Sequence, residues 1–119
     1  MRILIIEDTE DNRTILRDLF ESVGYTVLEA VNGEEGIACA ERERPDMILM
    51  DIQLPVLDGY EATRRIKAIP ALSGIPIIAV TSHALSDDEK KARAAGCDDY
   101  VAKPFSPRAL LAKVRQFAH

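Results

Sequence analysis

The chain has 119 residues, room for one ordinary domain and too few for two. Its 20 acidic against 15 basic side chains give a net charge of -5 with no basic stretch, which argues against direct binding to DNA or RNA. Trp is absent and only three Phe and three Tyr occur, so the core must be aliphatic; no run has the length of a membrane-spanning helix and no signal peptide is visible, so a cytoplasmic location is expected.

In chain order the pattern alternates strand and helix five times. A first strand is expected over Arg2–Ile6, then a helix from Glu10 to about Val23 with Ile15, Leu16, Leu19 and Phe20 at helical spacing and Gly24 as a stop. Thr26–Ala30 is the second strand. Asn32 caps a helix from Gly33 to about Arg44, with Ile37 and Ala40 turned inward and Pro45 ending it. Met47–Asp51 is the third strand, followed by a helix from Asp58-Gly59 to about Ala68. Ile69–Pro76, with two prolines and a glycine, is a loop. Ile77–Thr81 is the fourth strand, and Ser86-Asp87-Asp88-Glu89 reads as a capping box for a helix that Gly96 closes. Asp99–Ala102 is the fifth strand, and Ser106-Pro107 opens a last helix to about Phe117. Strict alternation implies right-handed crossovers and one parallel sheet covered on both faces. Nothing is left over for a second domain, so 1–119 is expected to be one unit. Cys39 and Cys97 lack zinc-ligand spacing, and His83 and His119 complete no ligand set, so both thiols are expected to be free.

Four of these strands run into residues suited to metal or phosphate chemistry: Glu7-Asp8 after the first, Asp51 at the end of the third, Thr81 at the end of the fourth, and Lys103 after the fifth. Ligands of open parallel sheets bind just beyond the carboxyl ends of the strands, so these residues should converge. Singly, each has a plainer reading: acids cap helices, and a lysine is usually a solvated charge. Together they are consistent. Clustered carboxylates call for a cation, and Mg²⁺ takes one or two carboxylates with several waters. Lys103 suits a phosphate or a neighbouring carboxylate, Thr81 offers one hydroxyl donor, and a carboxylate beside a metal can become an aspartyl phosphate.

Over essentially its whole length the chain resembles the receiver domain of two-component response regulators. The matching segments are Leu4-Ile5-Ile6-Glu7-Asp8, Pro45 through Pro55, Asp58-Gly59, Ala79-Val80-Thr81-Ser82 and Lys103-Pro104-Phe105. The resemblance implies a flavodoxin-like α/β fold, a doubly wound five-stranded parallel sheet of order 2-1-3-4-5 with five helices. It implies that Asp51 accepts a phosphoryl group from a phosphohistidine. Glu7, Asp8, Asp51 and the backbone carbonyl of Gln53 would hold Mg²⁺, Glu7 through water. Thr81 and Lys103 would contact the phosphoryl group, Lys103-Pro104 would be a cis peptide, and Thr81 with Tyr100 would form the switch. Gln53 and His83 would tune phosphate lifetime. Asp58 through Lys67, Ala95 through Tyr100, and Asn12-Arg13 resemble receivers of phosphorelays and hybrid kinases, while Asp51 through Pro55 also resembles single-domain cell-division regulators.

The implied partners are a histidine kinase or a histidine phosphotransfer protein, docking near Asn12, Ile15 and Pro104-Phe105, although helical spacing favours Ile15 as core. A downstream protein would use the surface of the fourth helix, fifth strand and fifth helix, with Lys90, Lys91 and Arg93. No nucleic acid, membrane or output domain enters this reading, and the chain is expected to be a signalling protein, not an enzyme. The competing reading is a phosphohydrolase using an aspartyl phosphate; Gln53 stands where the haloacid-dehalogenase pattern wants a second Asp, which counts against it. A nucleotide-binding fold is disfavoured because acids, not a Gly-rich loop, follow the first strand.

Overall fold

The computed structural model describes residues 1–81, 86–103 and 105–117, with only the backbone course of 86–88. Its elements are β1 (Arg2–Ile6), α1 (Glu10–Glu21), β2 (Thr26–Ala30), α2 (Gly33–Glu43), β3 (Met47–Asp51), α3 (Gly59–Ala68), β4 (Ile77–Thr81), α4 (Ser86–Ala95), β5 (Asp99–Ala102) and α5 (Pro107–Phe117). All strand pairings are parallel, in the order β2-β1-β3-β4-β5. This is the flavodoxin-like arrangement that the alternation and the resemblance imply.

The aliphatic strands are buried on both faces, and alternation along each strand divides the core in two. Leu4, Ile6, Ile48, Met50, Ile77 and Ala79 point to one face, where Cys39 and Ala40 of α2, Ala62 and Ile66 of α3, and Ala92 of α4 cover them. Ile3, Ile5, Leu49, Ile78, Val80 and Val101 point to the other, under Leu16 and Phe20 of α1 and Leu110 and Val114 of α5. At roughly 1.5–3 kcal/mol for each large aliphatic chain removed from water, these two layers are the main favourable term. Gly36 is required by this packing, because a Cβ there would lie inside 3 Å of the Ile6 side chain.

Helix ends follow local chemistry. Asn32 accepts the Glu35 N–H at 2.8 Å and Asp58 accepts that of Glu61 at 3.0 Å, as N-caps do. α1 stops at Glu21, two residues before the expected Val23. Its last turn tightens as the Val23 N–H donates to Phe20 and the Gly24 N–H to Glu21, and Gly24 takes a φ of 87°. α2 closes through Arg44 in the left-handed region, at φ 49°, just before Pro45. Cys39 and Cys97 are free and buried, as expected.

One strained residue stands in the loop after β3. Val56 has a φ of 69°, and the Leu57 N–H donates to the Pro55 carbonyl at 2.7 Å, the hydrogen bond of a γ-turn. A β-branched residue is poorly suited to this backbone, and Val56 is 75% exposed, so little packing compensates it. Val56→Asn is expected to stabilise the fold by roughly 0.5–1 kcal/mol in chemical denaturation, because Asn tolerates positive φ. Val56→Ala should give no such gain, and equal midpoints for Val56→Asn and the parent would show that the turn carries no strain.

Candidate functional site

Alternation along the strands builds the site. Glu7 stands two residues beyond Ile5, Asp51 two beyond Leu49, and Lys103 two beyond Val101, all on the face covered by α1 and α5. The Glu7 N–H continues the β1–β2 pairing by donating to Ala30, and the Lys103 N–H donates to the Thr81 carbonyl at 2.7 Å. The loop after β3 is drawn tight under Asp51, with the Gly59 N–H donating to the Ile52 carbonyl at 3.0 Å. A Cβ on Gly59 would come within 2.5 Å of the Asp51 carbonyl oxygen and 2.7 Å of Ile52 Cα, so only glycine fits.

Glu7 and Asp51 are buried, and Asp8 lies at the exposed rim. One carboxylate oxygen of each lies within 4.8 Å of the others. Lys103 Nζ is 3.6 Å from Glu7 Oε2 and 3.7 Å from Asp51 Oδ2. The other Asp51 oxygen, Oδ1, accepts the Gln53 N–H at 3.0 Å. Glu7 Oε1 accepts the Thr9 N–H at 3.1 Å and the Asn12 amide at 3.3 Å, and its backbone carbonyl accepts Arg13 Nη1 at 2.8 Å.

At these separations each like-charge pair costs roughly 3–4 kcal/mol at an effective dielectric near 20, and the two lysine contacts return a similar amount each. Three carboxylates and one ammonium still leave two negative charges uncompensated. Protonation is the response of the metal-free cluster. Burial first, then the hydrogen bond to Glu7 and its charge, push Asp51 up to about 7, against the pull of the Gln53 N–H and Lys103. Burial also raises Glu7, but Asp51, the Thr9 N–H, Asn12 and Lys103 together outweigh it and hold Glu7 below the usual carboxylate range. Burial and the neighbouring Glu7 thus favour the neutral form of Asp51 in the metal-free cluster. The donors are all hard oxygens, one at the solvent rim, and their residual charge matches a divalent cation that keeps several waters. The residues fit Mg²⁺.

Thr81 is buried at the end of β4. Its side chain follows Ala79 onto the opposite face, where Tyr100 is half-buried; Ala79 and Tyr100 are register partners. The Gln53 side chain is exposed. Lys90, Lys91 and Arg93 are exposed on α4. His83 and Pro104, and with Pro104 the expected cis peptide, lie outside the described residues, as does His119.

Beside the acids lies a cavity of about 540 Å³, mostly apolar, walled by Asn12, Ile15, Leu16, Val80 and Phe105, with Glu7, Asp51 and Lys103 at its polar end. Here the helical spacing misleads: Ile15 is 62% exposed and is not core. Leu16 and Phe20 carry the buried stripe of α1, and Ile15 falls one helical step aside onto the cavity rim. The sequence pattern links Arg13 to a subtype resemblance and gives it no role at the site. A detectable signal was its charge near the amino end of a helix, where cations are unfavourable.

The chain belongs to the response regulator receiver domain family, whose model matches residues 3–115. It is 41% identical over 115 residues to the polar-differentiation response regulator DivK of Brucella anthropi, covering 97% of this chain and 94% of that protein. Among solved structures it is similar to the receiver domain of a sensor histidine kinase from Pseudomonas aeruginosa PAO1, with a magnesium ion coordinated in the active site cleft (42% identity, 98% and 95% coverage, TM-score 0.91). It is also similar to the signal receiver domain of a signal transduction histidine kinase from Syntrophus aciditrophicus (32% identity, 98% and 88% coverage, TM-score 0.91). Similarity to a response regulator of nearly the same length and to receivers of histidine kinases is thus found side by side.

The raised Asp51 makes stability depend on pH. Between the usual 3.8 and about 7 the folded chain binds more protons at Asp51 than the unfolded chain, so this group's penalty is absent at low pH, grows as pH rises, and is complete above about 7. The lowered Glu7 has the opposite sign, and its contribution is lost as pH falls below its usual range. In metal-free buffer at pH 8, Asp51→Asn should therefore raise Tm, and Mg²⁺ should raise the parent's Tm more at pH 8 than at pH 5.5. A thermal melt in which Asp51→Asn lowers Tm at pH 8, or still responds fully to Mg²⁺, would contradict this charge balance.

Proposed function

We propose that the chain is a signalling phosphoacceptor. Asp51 takes a phosphoryl group from the phosphohistidine of a histidine kinase or histidine phosphotransfer protein, and the chain passes the event to a protein partner or along a relay. The observation that carries this reading is the juxtaposition of a buried Asp51 oxygen with Lys103, inside an acid cluster that opens onto an apolar cavity. Membership of the receiver family and the magnesium-bearing kinase receiver support it.

In this reading Glu7, Asp8, Asp51 and the Gln53 backbone carbonyl would hold Mg²⁺, which would supply neutralising charge for the phosphoryl oxygens. An ionised Asp51 oxygen attacks phosphorus in line with the bond to the donor imidazole. That P–N bond breaks, its electron pair stays on the imidazole, and the ring takes up a proton. Lys103 contacts one phosphoryl oxygen and Thr81 donates its hydroxyl to another, which is the electrostatic positioning such a transfer asks of a protein. Thr81 leaves the Tyr100 face as it does so. Tyr100 fills the space, and the surface of α4, β5 and α5 is biased toward its signalling form, with Lys90, Lys91 and Arg93 available to a downstream protein. Gln53 and His83 tune how water reaches the phosphoryl group. A cytoplasmic location goes with this role.

The donor helix docks in the cavity beside the acids. Exposed Ile15 and the half-buried Phe105 give an apolar seat next to Asp51, and Asn12 lines the same cavity. Ile15→Asp with Phe105→Ala should slow transfer from a phosphohistidine protein at least tenfold while leaving labelling by a small phosphodonor unchanged. Equal loss with both donors would place these residues in the fold and not in docking.

The acceptor itself is tested by incubation with Mg²⁺ and acetyl phosphate followed by intact mass measurement. One phosphoryl group should appear, and Asp51→Asn should carry none. Labelling of Asp51→Asn at the parental level would remove the acceptor role. Sustained turnover of a phosphate ester over many cycles would instead favour a phosphohydrolase.

A further inference from the structure

Arg13 holds the backbone between the two acids that follow β1. Its Nη1 donates to the Glu7 carbonyl at 2.8 Å, and its Nε lies 3.4 Å from Glu29 Oε1 on β2. Glu29 is itself tethered by Arg17 Nη1 at 3.0 Å, and Arg17 Nε reaches Glu21 at 3.8 Å. The Arg13 side chain is 14% exposed, so this is a packed arrangement.

The Glu7 carbonyl and the Asp8 N–H belong to one rigid peptide plane. The preceding Glu7 N–H is already fixed on the Ala30 carbonyl. With its oxygen held by Arg13, that plane has little freedom to rotate, and it sets the directions in which the Glu7 and Asp8 side chains leave the backbone. Arg13 is the fourth residue of α1, where a cation opposes the helix dipole. The bonds to Glu7 and Glu29 offset that cost.

We infer that Arg13, oriented by Glu29, is a positioning residue that aims the Glu7 and Asp8 carboxylates for divalent-cation binding. This rests on the reading of that cluster as a Mg²⁺ site. Outer groups that orient metal-binding carboxylates commonly change affinity by roughly 10–100-fold when removed. The sign is diagnostic. Deleting a positive charge beside an acid cluster should tighten cation binding if charge alone mattered, whereas loss of positioning weakens it.

Calorimetric titration with Mg²⁺, paired with metal-free melting of each variant, separates the cases. Arg13→Ala should weaken Mg²⁺ binding about tenfold. Glu29→Ala should weaken it less, and the double variant should match Arg13→Ala, because Glu29 acts through Arg13. Arg17→Ala should stay within about twofold of the parent. Should Arg13→Ala fail to fold, Glu29→Gln supplies the test, with an expected loss of about two- to threefold. Unchanged or tighter binding in Arg13→Ala, whatever its melting temperature, overturns the inference. Absence of Mg²⁺ binding in the parent would instead overturn the reading of the cluster on which it rests.

Discussion

Buried like charges at the ends of adjacent strands are the constraint on which this molecule turns. Glu7 and Asp51 follow β1 and end β3, where the sheet is most enclosed, and Asp8 adds a third carboxylate at the rim. Lys103 compensates only part of that charge. The remainder favours the neutral form of Asp51 when no metal is bound, and it makes a hard divalent ion a fitting occupant. A sequence under pressure only to fold would place apolar or hydrogen-bonded groups at these strand ends, because uncompensated buried charge works against stability.

The sheet divides the acid cluster from the residues of the proposed switch. Glu7, Asp51 and Lys103 lie on the face of α1 and α5, whereas Thr81 and Tyr100 belong to the face of α3 and α4. Thr81 closes the edge between them, with its carbonyl bonded to the Lys103 N–H. In the proposed mechanism, a small movement of the Thr81 hydroxyl toward the acid cluster would change packing on the far face. Close-packed interiors respond to such a shift by moving between discrete arrangements. The apolar cavity beside Asp51 lies on the near face, so the proposed donor and the proposed downstream partner would occupy different surfaces.

Much of this was legible in the residues alone. The aliphatic runs that became β1, β3 and β4 have no other stable reading when each is followed by a helix, and Asn32, Asp58 and Gly24 act where local chemistry puts them. The convergence of Glu7, Asp8, Asp51 and Lys103 follows from parallel topology, which alternation dictates. What escaped depends on rotation and reach. Ile15 sits beside the buried stripe of α1, and only the docked helix shows that it faces the cavity rim. Asn12 was expected at the docking edge, yet its amide also binds Glu7. Arg13 and Glu29 are distant in sequence and meet only because β2 pairs with β1. The strain at Val56 is a backbone property that side-chain pattern does not encode.

The central claim is that segments far apart in the chain form one cation site at a single lip of the sheet. An amide-resolved NMR titration of the metal-free chain with Mg²⁺ tests it most directly. Resonances of Glu7, Asp8, Asp51, Ile52, Gln53 and Lys103 should move together along one binding isotherm, while the amino ends of the strands should stay still. Shifts confined to one segment, or spread over surface acids with separate affinities, would contradict it.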